Sequence, residues 1–260
     1  MPVALLTPGF NLRSTIAVRP PLGIAGFPTG SSLCDQGGRP LGPRAQNTRV
    51  RILDATVVLL GEKPMRDLRV IDIARRIGSS PATFYQYFKD VEDVVLHLAS
   101  HVSEFTPEIV ELISGDWSGR PGHARARSLA EIVIRHWDRY APILRVRNNA
   151  CDEGDAAFRE LRMSAMMPLV HAFAEIIETS QQRAAATEAN PATAASVVDE
   201  ATGDEWQGGL LHPMMAAVAL ASVLERLSMY HVSIEELAGT REQLIETLAT
   251  LLQSMLTSKR

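Results

Sequence analysis

Cysteine is nearly absent from the 260 residues: only Cys34 and Cys151 occur, with no partner near either in sequence. That excludes a disulfide scaffold and a cysteine-ligated zinc site, and it fits a reduced cytoplasm. Aromatics are scarce at 5% while hydrophobic residues make up 46%. The core must therefore be built from Ala, Leu, Val, Ile and Met, a mixture that suits helices. A membrane span is not expected, because the apolar stretch Met214 to Leu224, broken only by Ser222, falls far short of ~20 residues. A secretory leader is not expected either: no Lys or Arg precedes the first apolar residues, and Val3 to Leu6 is too short for an apolar core region. Catalytic signatures are missing too, with no HExxH, CxxC, Gly-rich phosphate loop or nucleophile elbow. His171 and Glu175, four apart, and His136 with Asp138 remain as acid/base or metal-type pairs. Without such companions they read as surface polar residues or satisfied core histidines, so no enzyme, metal or cofactor is expected.

Charge is unevenly spread. Residues 1–43 carry three Arg against one Asp, residues 44–102 nine Lys or Arg against seven Asp or Glu, and residues 103–260 fourteen against 22. The net −4 thus hides a basic amino-terminal portion and an acidic remainder, the distribution a phosphate-binding amino-terminal domain requires. Residues 1–43, rich in Pro, Gly and Ser, show no helical or strand period and read as a disordered extension. Arg39, Arg44, Arg49 and Arg51 lead out of it and could follow a DNA backbone or minor groove, or form a solvated tail.

Positive content is concentrated in Val70 to Phe88, VIDIARRIGSSPATFYQYF. Val70, Ile73, Ala74 and Ile77 fall at i, i+3, i+4 and i+7, one apolar face of a helix. Gly78 stands where a helix end needs positive φ, and Ser80 followed by Pro81 is an N-cap with proline at the first helical position. A second helix therefore starts about three residues after the first ends, the spacing of a helix-turn-helix whose second helix enters the major groove. Phe84 and Phe88, four apart, can pack inward together. Ala82, Thr83, Tyr85, Gln86 and Tyr87 are left at the helix start or outer side, where small, hydroxylated or amide groups can meet phosphates and base edges. An amino-terminal helix, about Asn47 to Leu60, carries Ile52, Ala55 and Leu59 on one face, with Gly61 ending it and Pro64 preventing its continuation.

On Ile73-Ala74, Gly78, Ser79-Ser80 and Thr83-Phe84-Tyr85-Gln86-Tyr87-Phe88, followed by Glu92-Asp93-Val94-Val95-Leu96, the sequence resembles the TetR family of one-component transcriptional regulators. The close resemblance covers roughly residues 49–102. It implies an all-α protein: a three-helix helix-turn-helix domain at residues 44–102, and a larger helical effector-binding and dimerisation domain at residues 103–260. It implies DNA contacts at Ala82, Thr83, Tyr85 and Tyr87. With the flanking polar groups, the candidate DNA-binding set is Arg69, Ser79, Ser80, Ala82, Thr83, Tyr85, Gln86, Tyr87 and Lys89. The family usually has Lys near the start of the fourth helix, where this chain has Val91, so Lys89 is the candidate substitute. It usually has Thr where this chain has Arg69, which could bind phosphate as a charge.

Beyond residue 103 the chain reads as helices without a motif. The fourth helix is expected to end or kink at Thr106-Pro107, and Asp116 to Gly122 to form a loop. A helix is then expected over Ala124 to Tyr140, a break at Pro142, a short helix over Ile143 to Asp152, and a long helix opened by Glu153 or Asp155 and reaching about Arg183 with a bend at Pro168. Ala184 to Leu211 reads as a flexible connection with a helical piece near Ala194 to Glu200. The last helices are expected over His212 to Tyr230 and Arg241 to Met255, with a capped turn at Ser233 to Glu236. Both final helices are apolar around more of their circumference than one core requires. In TetR relatives the corresponding pair forms a four-helix dimer interface, while burial within one subunit is the alternative.

The resemblance also implies a small-molecule pocket, for which Trp137, Leu144, Met163, Met166, Met167, Phe173, Met214 and Met215 are candidate lining residues, methionines being adaptable to apolar ligands. The same stripe would serve as plain core. Asn148, Asn149 and Asp152 are candidate polar contacts. The expected function is a cytoplasmic, homodimeric repressor of a double-stranded DNA operator, released by a small, largely apolar effector. The competing class is a helical sensor or carrier without DNA binding, which salt dependence would distinguish.

Overall fold

The computed structural model describes residues 39–103, 109, 112–188 and 212–257. No β-strand occurs among them. The expectations for residues 1–38, for Thr106-Pro107 and for residues 189–211 fall outside the described residues. The chain divides after Val91 into two compact units.

In the first unit, α1 spans Pro43–Glu62 and buries Ile52, Leu53, Ala55, Thr56, Leu59 and Leu60. It passes through Gly61, the expected end, because the stop comes from the next proline. Lys63, the residue before Pro64, is extended at φ −149° and ψ 156°, the geometry a following proline enforces. A short 3-10 turn, Met65–Asp67, leads to α2, Val70–Arg76. The helix closes at Gly78, φ +66°. Ser79 N–H reaches the Ala74 carbonyl at 2.9 Å and Gly78 N–H that of Arg75 at 3.1 Å, the two bonds of a Schellman turn. Ser80 then caps α3, Pro81–Tyr85, by accepting from Thr83 N–H at 3.3 Å. Phe84 and Phe88 are fully buried with ring centroids 5.8 Å apart. α1 packs on α2, and α2 on α3.

The second unit comprises α4 (Val91–Ser103, whose first residue closes the first unit), α5 (Gly119–Asp152), α6 (Ala156–Glu188), α7 (Pro213–Met229), α8 (His231–Ala238) and α9 (Arg241–Leu256). α5 corrects the expected loop to Gly122 and the expected break at Pro142: it is one helix of 34 residues with the proline inside. An internal proline costs roughly 3 kcal/mol. Trp137, Ile143 and Leu144, on either side of it, are all buried and contribute about 1.5–3 kcal/mol each, so packing outweighs the break. Gly154, φ +97°, separates α5 from α6. Asp155 opens α6, its carboxylate accepting from Ala157 N–H at 2.9 Å and Phe158 N–H at 3.1 Å. α6 runs through Pro168 and five residues past Arg183. The expected capped turn at Ser233 to Glu236 lies inside α8.

α5, α6, α7 and α9 enclose one apolar core that includes Leu129, Ile134, Phe173, Ile177, Leu220, Leu224, Leu248 and Leu252. Trp117 joins it, donating from Nε1 to the Ile113 carbonyl at 2.9 Å and meeting the Phe173 ring edge-on.

Candidate functional site

The helix-turn-helix places most of its candidate DNA-binding residues on one short stretch of surface. Phe84 in α3 and Phe88 just past its end point into the core, which leaves the opposite side of this stretch at the surface. Tyr85 is 53% exposed; Ser80, Ala82 and Gln86 are exposed, and Thr83 and Tyr87 half-buried. Arg69 and Lys89, also exposed, flank the motif on either side. Arg69 does not act as a cap: its backbone N–H donates to the Asp72 carboxylate at 3.2 Å, which leaves the guanidinium outside the α2 hydrogen bonding. Ser79 differs from the others, since its hydroxyl oxygen is buried without a hydrogen-bond partner.

Two ion pairs brace the α1–α2 corner, Lys63 to Asp72 at 2.8 Å and Arg76 to Glu62 at 2.9 Å. The Asp72 carboxyl is held below its usual range by the Lys63 hydrogen bond and the Arg69 N–H, against a smaller effect of burial. The Arg49 guanidinium sits over the Phe88 ring, 5.1 Å from its centroid. With the boundary at Val91, the described part of the first unit holds ten Lys or Arg against five Asp or Glu. This +5 balance is stronger than a boundary at residue 102 gives, because the acidic start of α4 belongs to the second unit. It suits a phosphate-binding surface.

The second unit contains a cavity of about 260 Å³. Of the predicted ligand residues, Trp137, Leu144 and Met166 line it, with Ile132, Val133, Leu169 and Leu224. The others are placed elsewhere. Phe173 is fully buried in the core and Met167 packs against that core, whereas Met163, Met214 and Met215 are exposed. Hydrophobic spacing along a helix does not distinguish a cavity wall from a core or a free face.

The sequence reading missed the polar side of the cavity. Arg147, buried on α5, donates from Nε to Asn148 Oδ1 at 3.0 Å, from Nη1 to Ser103 Oγ at 2.9 Å and from Nη2 to Glu225 Oε1 at 3.1 Å. Glu225 also accepts from Asn148 Nδ2 at 3.2 Å and, on its other oxygen, from Arg162 at 2.5 Å. Asn148, one of the predicted polar contacts, is thus committed to this cluster, while Asn149 and Asp152 are exposed. Burial pushes the Arg147 pKa down, Glu225 opposes that, and Arg162 adds to it. His136 also lines the cavity; burial, then the Arg147 charge, lowers its pKa to about 4, against a hydrogen bond with the Val102 backbone. Glu225 meets Arg147 and Arg162 from 78 and 63 residues away, a pairing that no local spacing announces.

Asp138 joins a different cluster, accepting from His231 at 2.9 Å and Arg241 at 2.7 Å. His171 and Glu175 are both exposed on α6. Among the described residues no group of three His, Cys, Asp or Glu could hold a metal ion, and no helix is long and apolar enough to cross a membrane.

Residues 52–98, which span the helix-turn-helix, match the family described as bacterial regulatory proteins, tetR family. Residues 109–260, more than half of the chain, match the family described as tetracyclin repressor-like, C-terminal domain. The chain belongs to the TetR family. It is therefore a transcriptional regulator with a DNA-binding helix-turn-helix. No curated protein matches it. Solved structures share the fold of this TetR-family chain at low identity. One, described as a TetR-family transcriptional regulator from Syntrophomonas wolfei, has 15% identity and a TM-score of 0.53, covering 83% of this chain and 97% of that one. The fatty acid degradation regulator FadR from Bacillus halodurans has 15% identity and a TM-score of 0.52, with the same coverage. A protein described as a transcriptional regulator from Pseudomonas aeruginosa has 13% identity and a TM-score of 0.56, covering 84% of this chain and 93% of that one.

Proposed function

We propose that this TetR-family regulator is a homodimeric repressor that binds a pseudo-palindromic operator and is released by a small effector held in the cavity of the second unit. The observation that carries operator binding is the inside-out division of α3 and the turn after it, with Phe84 and Phe88 anchored in the core, Tyr85 and Gln86 exposed and Tyr87 half-buried at the surface. One recognition helix reads only a few base pairs, whereas two about 34 Å apart read a palindrome. A stripe of exposed residues along α7, formed by Met215, Val218, Ala219, Ser222 and Val223, lies at helical spacing, and α9 leaves Leu251 exposed. These unpaired faces on two packed helices support a four-helix dimer interface.

Coupling between effector and operator has a covalent route. α4 starts six residues after α3 ends, and its last residue, Ser103, accepts the Arg147 hydrogen bond in the cavity wall. An effector that binds better to a conformer with α4 displaced would oppose operator binding, and the opposition is reciprocal. A coupling of about 1–3 kcal/mol would change operator affinity roughly 5 to 150-fold.

The test is selection of genomic fragments by the purified full-length protein, followed by footprinting of the fragments retained. A protected pseudo-palindrome with two half-sites one helical turn apart supports the reading. Failure to enrich any sequence would move the assignment to a helical sensor without DNA binding.

A further inference from the structure

We infer that the effector is an apolar organic anion, a small carboxylate whose charged end lies beside Arg147 and whose body lies against Trp137, Leu144 and Met166. The inference deepens the reading of this cavity as the effector site and rests on it.

The first observation is a charge count inside the protein. Arg147 and Arg162 share the one carboxylate of Glu225. Other acceptors on Arg147, Ser103 Oγ and Asn148 Oδ1, are neutral. Among the described residues the cluster therefore sets two guanidinium groups against one carboxylate, with the Arg147 side chain 6% exposed and that of Arg162, which also meets the Cys151 side chain, 31% exposed. Buried ions of unmatched sign are costly, and a ligand of opposite charge removes that cost. Burial lowers the Arg147 pKa, Glu225 opposes that, and the Arg162 charge adds to it.

The second observation is which groups reach the cavity. Arg147, Ser103 and Glu225 all line it, as do Arg135 and Arg139, both exposed. His136 is neutral near pH 7 and adds no charge. Among the described residues Glu225 is the one carboxylate in the lining, and both its oxygens already accept, Oε1 from Arg147 and Asn148 and Oε2 from Arg162. A cationic ligand would find that carboxylate saturated and face three guanidinium groups. A neutral ligand would leave the imbalance in place. An anion finds donors: a guanidinium carries five N–H bonds, two more than the three that Arg147 directs at protein acceptors. The remaining wall is apolar, and the volume, below the usual range for ligand pockets of roughly 300–1,000 Å³, restricts the body to a short chain or a single ring.

Calorimetric titration of the full-length protein at neutral pH with hexanoate, octanoate, benzoate and phenylacetate, each beside its primary amide and its amine counterpart, tests this directly. At least one carboxylate should bind about tenfold or more tightly than its amide, as a charge-assisted hydrogen bond predicts, and the amines should bind weakest. In Arg147→Met the acid should lose more affinity than the amide, so that the two bind about alike. Should that variant fail to fold, Glu225→Gln provides a second reading, because removing the competing negative charge should raise the preference for the acid. Equal binding of acids and amides, tightest binding by an amine, or no binding by any compound overturns the inference. A carboxylate that binds as expected yet leaves operator affinity unchanged would uphold the ligand class and overturn effector release instead.

Discussion

The Arg51 guanidinium on α1 donates to the carbonyl of Ile77, the residue that closes α2, across 26 positions of sequence. This bond ties the end of the first helix of the motif to α1 at the turn from which α3 departs. A hydrogen bond from a charged donor contributes about 1.5–3 kcal/mol. Arg51→Met should therefore lower stability by about that much, read as a shift in the first unfolding transition in urea. An unchanged midpoint would mean that water replaces the cap without cost.

Two glycines of the first unit should respond in opposite directions to the same substitution. Gly61 lies inside α1, where an added Cβ meets nothing within 4 Å. Gly61→Ala should stabilise by about 0.5–1 kcal/mol through higher helix propensity. Gly78 also has open space, but its φ of +66° is left-handed, so Gly78→Ala should cost about 1–2 kcal/mol. Thermal melts of the two variants check the contrast, and a shift of the same sign in both would contradict it.

These two glycines also show what could be read from sequence. The Schellman turn at Gly78 and the cap at Ser80 with Pro81 are local, since each depends on residues within five positions, and they stand where the sequence puts them. Gly61 misled because glycine is tolerated in a last helical turn when a nearby proline supplies the stop. Pro142 misled for a different reason: burial of Trp137, Ile143 and Leu144 is a tertiary effect that overrides local breaking. In the cavity, Trp137, Leu144 and Met166 were legible as apolar positions on helices, whereas the Arg147–Glu225–Arg162 cluster joins three helices and left no local signature.

Acid should weaken the second unit through His136. Burial first, then the Arg147 charge, lowers its pKa from 6.5 to about 4, with the Val102 backbone hydrogen bond opposing and Arg139 adding to the fall. Between those values the unfolded chain binds more protons, so stability is full above the unfolded pKa and is lost as pH falls toward 4. The loss from pH 7.5 to pH 5 should be about 2 kcal/mol for this group. Denaturant midpoints at the two pH values, for wild type and His136→Gln, measure it. The variant should keep less pH dependence, and an identical loss in both proteins would show that His136 is not its source.

Assembly should depend on the exposed stripe. Val218 and Leu251 are each 42% exposed and Met215 67%. Placing a carboxylate there, as Val218→Glu, should convert a dimer to a monomer without lowering helix content, because the residue is not part of the subunit core. Sedimentation equilibrium across a concentration series reads the change. A variant that dimerises as well as wild type would place the interface elsewhere.

The most direct test of the central claim is operator affinity measured at two salt concentrations for wild type and Tyr85→Ala. Tyr85 is exposed, so its removal should change stability by less than about 1 kcal/mol while weakening operator binding by about tenfold or more. Wild-type affinity should fall steeply with salt as phosphate-bound counterions are released. Salt-insensitive binding, or undiminished affinity in Tyr85→Ala, would contradict the placement of α3 at the DNA.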